Sequence, residues 1–140
     1  MDEFNGVTTN VTQAVPLFGV SDMQASLRFY VDGLGFEIKN SWAPEGRVRW
    51  CWLQLGGAAL MIQSRVEPIP SRDGLSICFQ CADSIALYRQ FRARGIAAAR
   101  PFVGNRLWVT IVKDPDGYQL EFASPTDAAE ETEYSEPPTG

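Results

Sequence analysis

The feature that most constrains this chain is that it is written twice. "VPLFGVSD" is a short apolar run ending at Asp22, an acceptable helix N-cap, and "LSICFQCAD" ends in the same way at Asp83. After Asp22, residues Met23, Leu27, Tyr30, Val31 and Leu34 recur at helical spacing, and Gly33 and Gly35 close the segment. After Asp83, residues Ile85, Leu87, Tyr88 and Phe91 mark a second helix face that Gly95 ends. Three strand candidates follow each helix. They are "FEIKNSWA", "RVRWCWLQL" and "AALMIQS" in the first half, then "IAAARPFV", "LWVTIVK" and "YQLEFAS" in the second. The last two strands of each half are joined by a glycine turn, Gly56-Gly57 in one and Asp114–Gly117 ("DPDG") in the other. Asp22 and Asp83, like Gly57 and Gly117, stand about 60 residues apart.

Each half therefore predicts β-α-β-β-β, and the fold class is α+β with two tandem modules. A half this small cannot bury both faces of its sheet, so the two must pack together. The expected layout is an N-terminal tail over 1–13 and one domain over 14–125. Its modules run from about 14–66 and 72–125, joined by the proline-rich "EPIPSRDG". An acidic tail over 126–140 follows. "DAAEETEYSEPPTG" is nearly free of aliphatic residues and is not expected to fold by itself; disorder and docking on a partner subunit are both open.

Bulk properties narrow the function classes. A net charge of −5 argues against nucleic acid or an anionic membrane as partner, while suiting a cationic small molecule. No stretch approaches the roughly 18–20 apolar residues needed to span a bilayer, and the first residues lack the basic flank and apolar run of a signal peptide. A cytoplasmic protein is expected. Cys51, Cys78 and Cys81 are an odd number, and a strand through "SICFQC" points Cys78 and Cys81 to opposite faces. Neither a disulfide framework nor a zinc site is expected from them.

"VPLFGVSDMQASLRFYVDGLGFEI", "LYRQFRARGI" and "VKDPDGYQLEFASP" together resemble the glyoxalase / bleomycin-resistance / dioxygenase superfamily, the vicinal oxygen chelate proteins. The similarity spans roughly residues 14–125. It implies paired βαβββ modules whose sheets curl into a cup around a small-molecule cavity, and a homodimer. In metal-dependent members of this family the cup holds a divalent cation, bound by a histidine on the first strand and a glutamate or glutamine on the last strand of each module. Those positions fall here on Val15, Met61, Ser76 and Glu121. The chain contains no histidine, so the resemblance carries the fold and not the metal chemistry. No metal and no cofactor are expected.

What remains is an aromatic cup. Trp42, Trp50, Trp52 and Trp108 fall on predicted strands, with Trp50 and Trp52 on one face. Counted back from the turn glycines, Trp50 corresponds to Thr110 and Trp52 to Val112. Aromatic walls with a few polar groups suit a flat organic ligand, although tryptophans also fill ordinary cores and interfaces. The candidate ligand-binding residues are Trp42, Trp50, Trp52, Met61, Gln63, Trp108 and Glu121. Glu121 sits between Leu120 and Phe122, where an unpaired carboxylate is expensive to bury. It could receive an amine or guanidinium in the cup, pair with Arg47, Arg49 or Arg106, hold a lone metal, or be exposed. Two function classes stay open. One is a metal-free protein that sequesters an organic ligand. The other is a metal-independent or degenerate lyase or isomerase that uses Glu121, with Tyr118 as a second acid-base group.

Overall fold

The computed structural model describes residues 10–137. The chain forms two mixed four-stranded sheets, one per module, with a helix on each. The first module contains β1 (Leu17–Val20), α1 (Met23–Leu27), β2 (Glu37–Trp42), β3 (Trp50–Leu55) and β4 (Ala58–Ser64). The second contains β5 (Ser76–Gln80), α2 (Ser84–Ala93), β6 (Phe102–Gly104), β7 (Leu107–Lys113) and β8 (Gln119–Pro125). Strand order is β1-β4-β3-β2 in one sheet and β5-β8-β7-β6 in the other, with β1 and β5 running parallel to their neighbours. The duplication read in the sequence is thus the architecture. Before residue 10 the expected N-terminal tail lies outside the described residues.

Both helices start where the aspartates place them. The Asp22 carboxylate accepts the Ala25 N–H at 3.1 Å, and Asp83 accepts that of Ala86 at 2.9 Å. Past Leu27, α1 widens into a π-helical turn over Arg28–Gly33, and the N–H of Leu34 donates to the Phe29 carbonyl. A Cβ on Gly33 would lie 2.5 Å from the Ile96 Cδ1 of the other module, so a larger residue there would have to push that side chain aside. The expected strand over "IAAARPFV" is observed only from Phe102 onward. Pro101 has no N–H to give a ladder, and the alanines before it offer little side chain to hold a sheet surface.

The sheets meet through their helix-side faces. Phe18, Val20, Leu53, Leu60 and Ile62 of one module and Phe79, Val112, Leu120 and Phe122 of the other share a single buried cluster with Tyr30, Phe36 and Phe91. Phe36 meets Phe79 edge-on at 6.1 Å across the module boundary. Burying each such ring is worth about 1.5–3 kcal/mol relative to leaving it in water.

A polar joint fixes the angle between the modules, and the "DPDG" turn supplies it. Asp114 Oδ1 accepts the N–H groups of Asp116 and Tyr118 at 2.9 and 2.8 Å, closing the turn. Asp114 Oδ2 accepts the hydroxyl of Tyr30, 84 residues away in the first module, at 2.8 Å. Asp116 accepts both the N–H and the hydroxyl of Ser21, at 3.0 and 2.6 Å. Tyr118 stacks on Phe18 with ring centroids 4.0 Å apart and donates its hydroxyl to the Gly19 carbonyl at 3.0 Å. Burial pushes the Asp114 carboxyl above its usual range, against the pull of the Tyr30 and backbone donors. Burial, and then the facing Asp114, push the Tyr30 phenol upward as well.

The acidic tail docks on its own chain as far as residue 137 is described. Val103 N–H donates to the Thr132 carbonyl at 2.9 Å, Glu131 N–H to Val103 at 2.8 Å, and Tyr134 N–H to Pro101 at 2.9 Å. The tail therefore lines the free edge of β6. Tyr134 anchors it edge-on to Trp108 and Tyr88 and hydrogen-bonds Arg89. Its lack of aliphatic residues is offset by one aromatic anchor and backbone pairing. Among the described residues no helix is long and apolar enough to cross a membrane.

Candidate functional site

The faces turned away from the core carry the candidate residues. Along β3, Cys51 and Leu53 are fully buried beneath the sheet, whereas Trp50 and Trp52 on the alternate positions are only half-buried. Register places Trp52 beside Met61 of β4 and Asn40 of β2, and Trp50 beside Gln63 and Trp42. Leu17 of β1 sits next to Met61. Trp42, Trp50, Trp52, Met61 and Gln63 therefore share one open face. Trp42 and Leu17, on the two edge strands of this face, are 61% and 53% exposed. The Trp52 Nε1 donates to Gln54 Oε1 at 3.0 Å, and the Gln54 amide in turn donates to the Gly56 carbonyl. That chain holds the Trp52 ring in place.

Glu121 occupies the equivalent face of the second sheet. It lies in register between Ile111 of β7 and Cys78 of β5. Its Oε2 accepts the Gln119 amide at 2.9 Å, and its Oε1 is 4.0 Å from the Cys78 sulfur. Among the described residues no arginine or lysine pairs with it. Glu121 is half-buried on a solvent-facing sheet surface, with one oxygen held by an amide and the other beside a thiol.

The correspondence between the modules differs by one residue from the count on turn glycines. Leu55 pairs with Ala58 across a two-residue turn, while Lys113 pairs with Gln119 across a longer one. Trp52 opposite Met61 therefore matches Ile111 opposite Glu121, and Trp50 matches Val109, not Val112 and Thr110. A slip of one flips every side chain to the other face. Thr110 and Val112 are accordingly buried on the helix side, where Thr110 hydrogen-bonds Ser84. Trp108 shares that parity. It meets Tyr134 edge-on at 6.2 Å, away from the face that carries Glu121. Cys78, Leu17 and Ile111 join the open faces. Strand register alone reveals them, and in the sequence Cys78 drew notice only as half of a CxxC.

The family's metal positions do not fit a cation here. Val15 and Met61 offer an isopropyl and a thioether, Ser76 is an exposed hydroxyl, and only Glu121 is an anionic oxygen donor. Hard or borderline divalent ions need several imidazole or carboxylate ligands converging on one point. Among the described residues no three cysteine, aspartate or glutamate side chains converge in that way.

Comparison with known proteins agrees with the fold. The structure superposes on a bleomycin-binding protein solved with bleomycin at a TM-score of 0.65 and 26% identity, covering 81% of this chain and 98% of that one. An antibiotic-binding protein from a Streptomyces species gives a TM-score of 0.66 at 22% identity over 83% and 98% of the two chains. A glyoxalase family protein from Enterococcus faecalis gives 0.67 at 24% over 81% and 98%. Comparison with curated protein sequences yields no significant match. The family model of the Glyoxalase/Bleomycin resistance protein/Dioxygenase superfamily matches residues 12–122, all but the last residues of the two modules, and the chain belongs to this superfamily.

Proposed function

We propose that this protein binds a flat organic molecule, in particular a cationic one, in an aromatic cup and holds it without metal or chemical conversion. One observation carries the reading. Trp42, Trp50, Trp52 and Met61 share one open sheet face, while the family's metal positions keep a single carboxylate, Glu121. Indole faces stack on planar ligands and attract cations, and a half-buried carboxylate adds a directed charge. The bleomycin-binding and antibiotic-binding proteins of the same fold support a ligand-holding role.

Within one chain the tryptophan face and the Glu121 face turn away from the shared core, so neither is roofed. A homodimer would complete the cup by laying the second module of one copy over the first module of the other. The partners are then a small molecule and a second copy of the chain.

Titration with bleomycin, followed by tryptophan fluorescence, tests this reading directly. Saturable quenching that EDTA leaves unchanged is the expected result, with elution as a dimer from a calibrated sizing column. Quenching that needs a divalent cation would refute it. Catalytic turnover abolished by Glu121→Gln would favour the lyase or isomerase instead.

A further inference from the structure

A cleft of about 830 Å³ lies between the modules at the free edge of β5, away from the tryptophan face. It is floored by Phe79 and Phe122, walled by Leu34, Leu55 and Leu87, and bounded by the Gly56-Gly57 turn with Ala58. Cys78 lies at its border with the Glu121 face, but none of Trp42, Trp50, Trp52, Met61, Gln63 or Glu121 lines it.

The internal repeat shows what this cleft is shaped for. Register equates Phe18 with Phe79, since they pair with Ile62 and Phe122 at the same places in the two sheets. By the same ladders Gly19 corresponds to Gln80, and Ala58 at the start of β4 corresponds to Tyr118 just before β8. On one side of the module boundary the Tyr118 ring lies flat on Phe18 and its hydroxyl donates to the Gly19 carbonyl. On the other side the residue in the place of Tyr118 is Ala58, and the cleft opens there over Phe79 and Gln80. The Gln80 carbonyl faces the free edge of β5, where the cleft lies. Cys81 turns its N–H to Ala123 of β8, so by strand alternation Gln80 turns its backbone groups to the free edge, as Gly19 does on β1. An outward carbonyl beside a largely apolar space is an acceptor that a ligand's donor can use.

We infer that this cleft is a second ligand site, independent of the cup, for a planar aromatic ring bearing a hydroxyl or N–H donor. The ring takes the place that Tyr118 fills in the other half, lying against Phe79 with its donor on the Gln80 carbonyl. Phenols and N–H heteroaromatics are the chemical class. Gln90 and Arg94 at the mouth supply polar groups for substituents.

The test is titration of the full ¹⁵N-labelled chain with p-cresol and with toluene, read by amide shifts. We expect saturable shifts at Ala58, Phe79 and Gln80, with p-cresol about fivefold tighter than toluene because only it carries the donor. Ala58→Tyr supplies the missing ring from the chain itself and should abolish p-cresol binding while the protein stays folded. Ala58→Gly keeps the cleft open and should retain binding, which guards against a misfolded tyrosine variant. The proposal is overturned if p-cresol shifts only Trp50, Trp52 and their neighbours, or binds no tighter than toluene. Undiminished binding to a folded Ala58→Tyr variant would overturn it equally. Bleomycin quenching of the tryptophans is read separately, so failure here and failure of the cup reading are distinguishable.

Discussion

Replacing Tyr30 by phenylalanine removes one oxygen atom from the joint between the modules and leaves everything else in place. The Tyr30 side chain is fully buried and Asp114 is only 5% exposed, so water cannot readily replace the lost donor. Asp114 Oδ2 would keep its charge and lose the 2.8 Å bond from the phenol. A hydrogen bond to a charged group is worth about 1.5–3 kcal/mol net, and stranding the buried acceptor puts the loss toward the top of that range. A domain of this size is stable by only about 5–15 kcal/mol. A loss of about 2–3 kcal/mol should therefore lower Tm by roughly 6–10 °C. Urea denaturation followed by circular dichroism measures it. The pH dependence adds a sign. Burial already raises the folded pKa of Asp114, so this group weakens stability as pH climbs from its unfolded value through the folded one. Without the phenol, one of the interactions holding that pKa down is gone and the folded pKa rises further. The deficit of the variant should then be greatest at neutral pH and shrink toward acid, where the carboxyl is protonated in both proteins. A loss under about 0.5 kcal/mol at pH 7, or a deficit that grows on acidification, would refute this account of the joint.

Further expectations rest on other parts of the molecule. Trp52→Ala should weaken bleomycin quenching at least about tenfold while moving Tm little, since the ring is half exposed; equal affinity in titration would remove it from the cup. Gly117 sits at φ +88°, so Gly117→Ala should cost about 1–2 kcal/mol in thermal denaturation, and an unchanged Tm would show the turn relaxing freely. Tyr134→Ala should release the tail from β6, seen as faster hydrogen exchange at the Val103 amide that donates to Thr132; undiminished protection would mean that backbone pairing alone holds the tail.

Local patterns in this chain were open to reading because their causes are local. Asp22 and Asp83 cap helices through their own side chains, and the period of about 60 residues brought out both modules. Register was legible only in part. The turn glycines put Met61 and Glu121 at equivalent ladder positions, but the two turns differ in length, and so the same count matches Trp50 with Thr110 instead of Val109. Trp108 illustrates the same difficulty: its strand was evident, but its face depends on pairing partners that composition does not reveal. The joint was invisible for another reason. Nothing in "DPDGY" distinguishes an ordinary exposed turn from one whose aspartate bonds a phenol 84 residues earlier. The tail's place on β6 was not legible, because one tyrosine among acidic residues gives little signal until the aromatic surface it covers is known.

The division of labour in the joint has a practical consequence for handling the molecule. Tyr30, Ser21, Gly19 and Phe18 stand on one side of the connector, and Asp114, Asp116 and Tyr118 stand on the other. The recognition surface between the halves is thus complete without the peptide that links them. Cleavage in the exposed stretch beside Val66, which is 93% accessible, should yield two fragments that reassociate into a native complex. Such a complementing pair would let each half be labelled, mutated or expressed by itself.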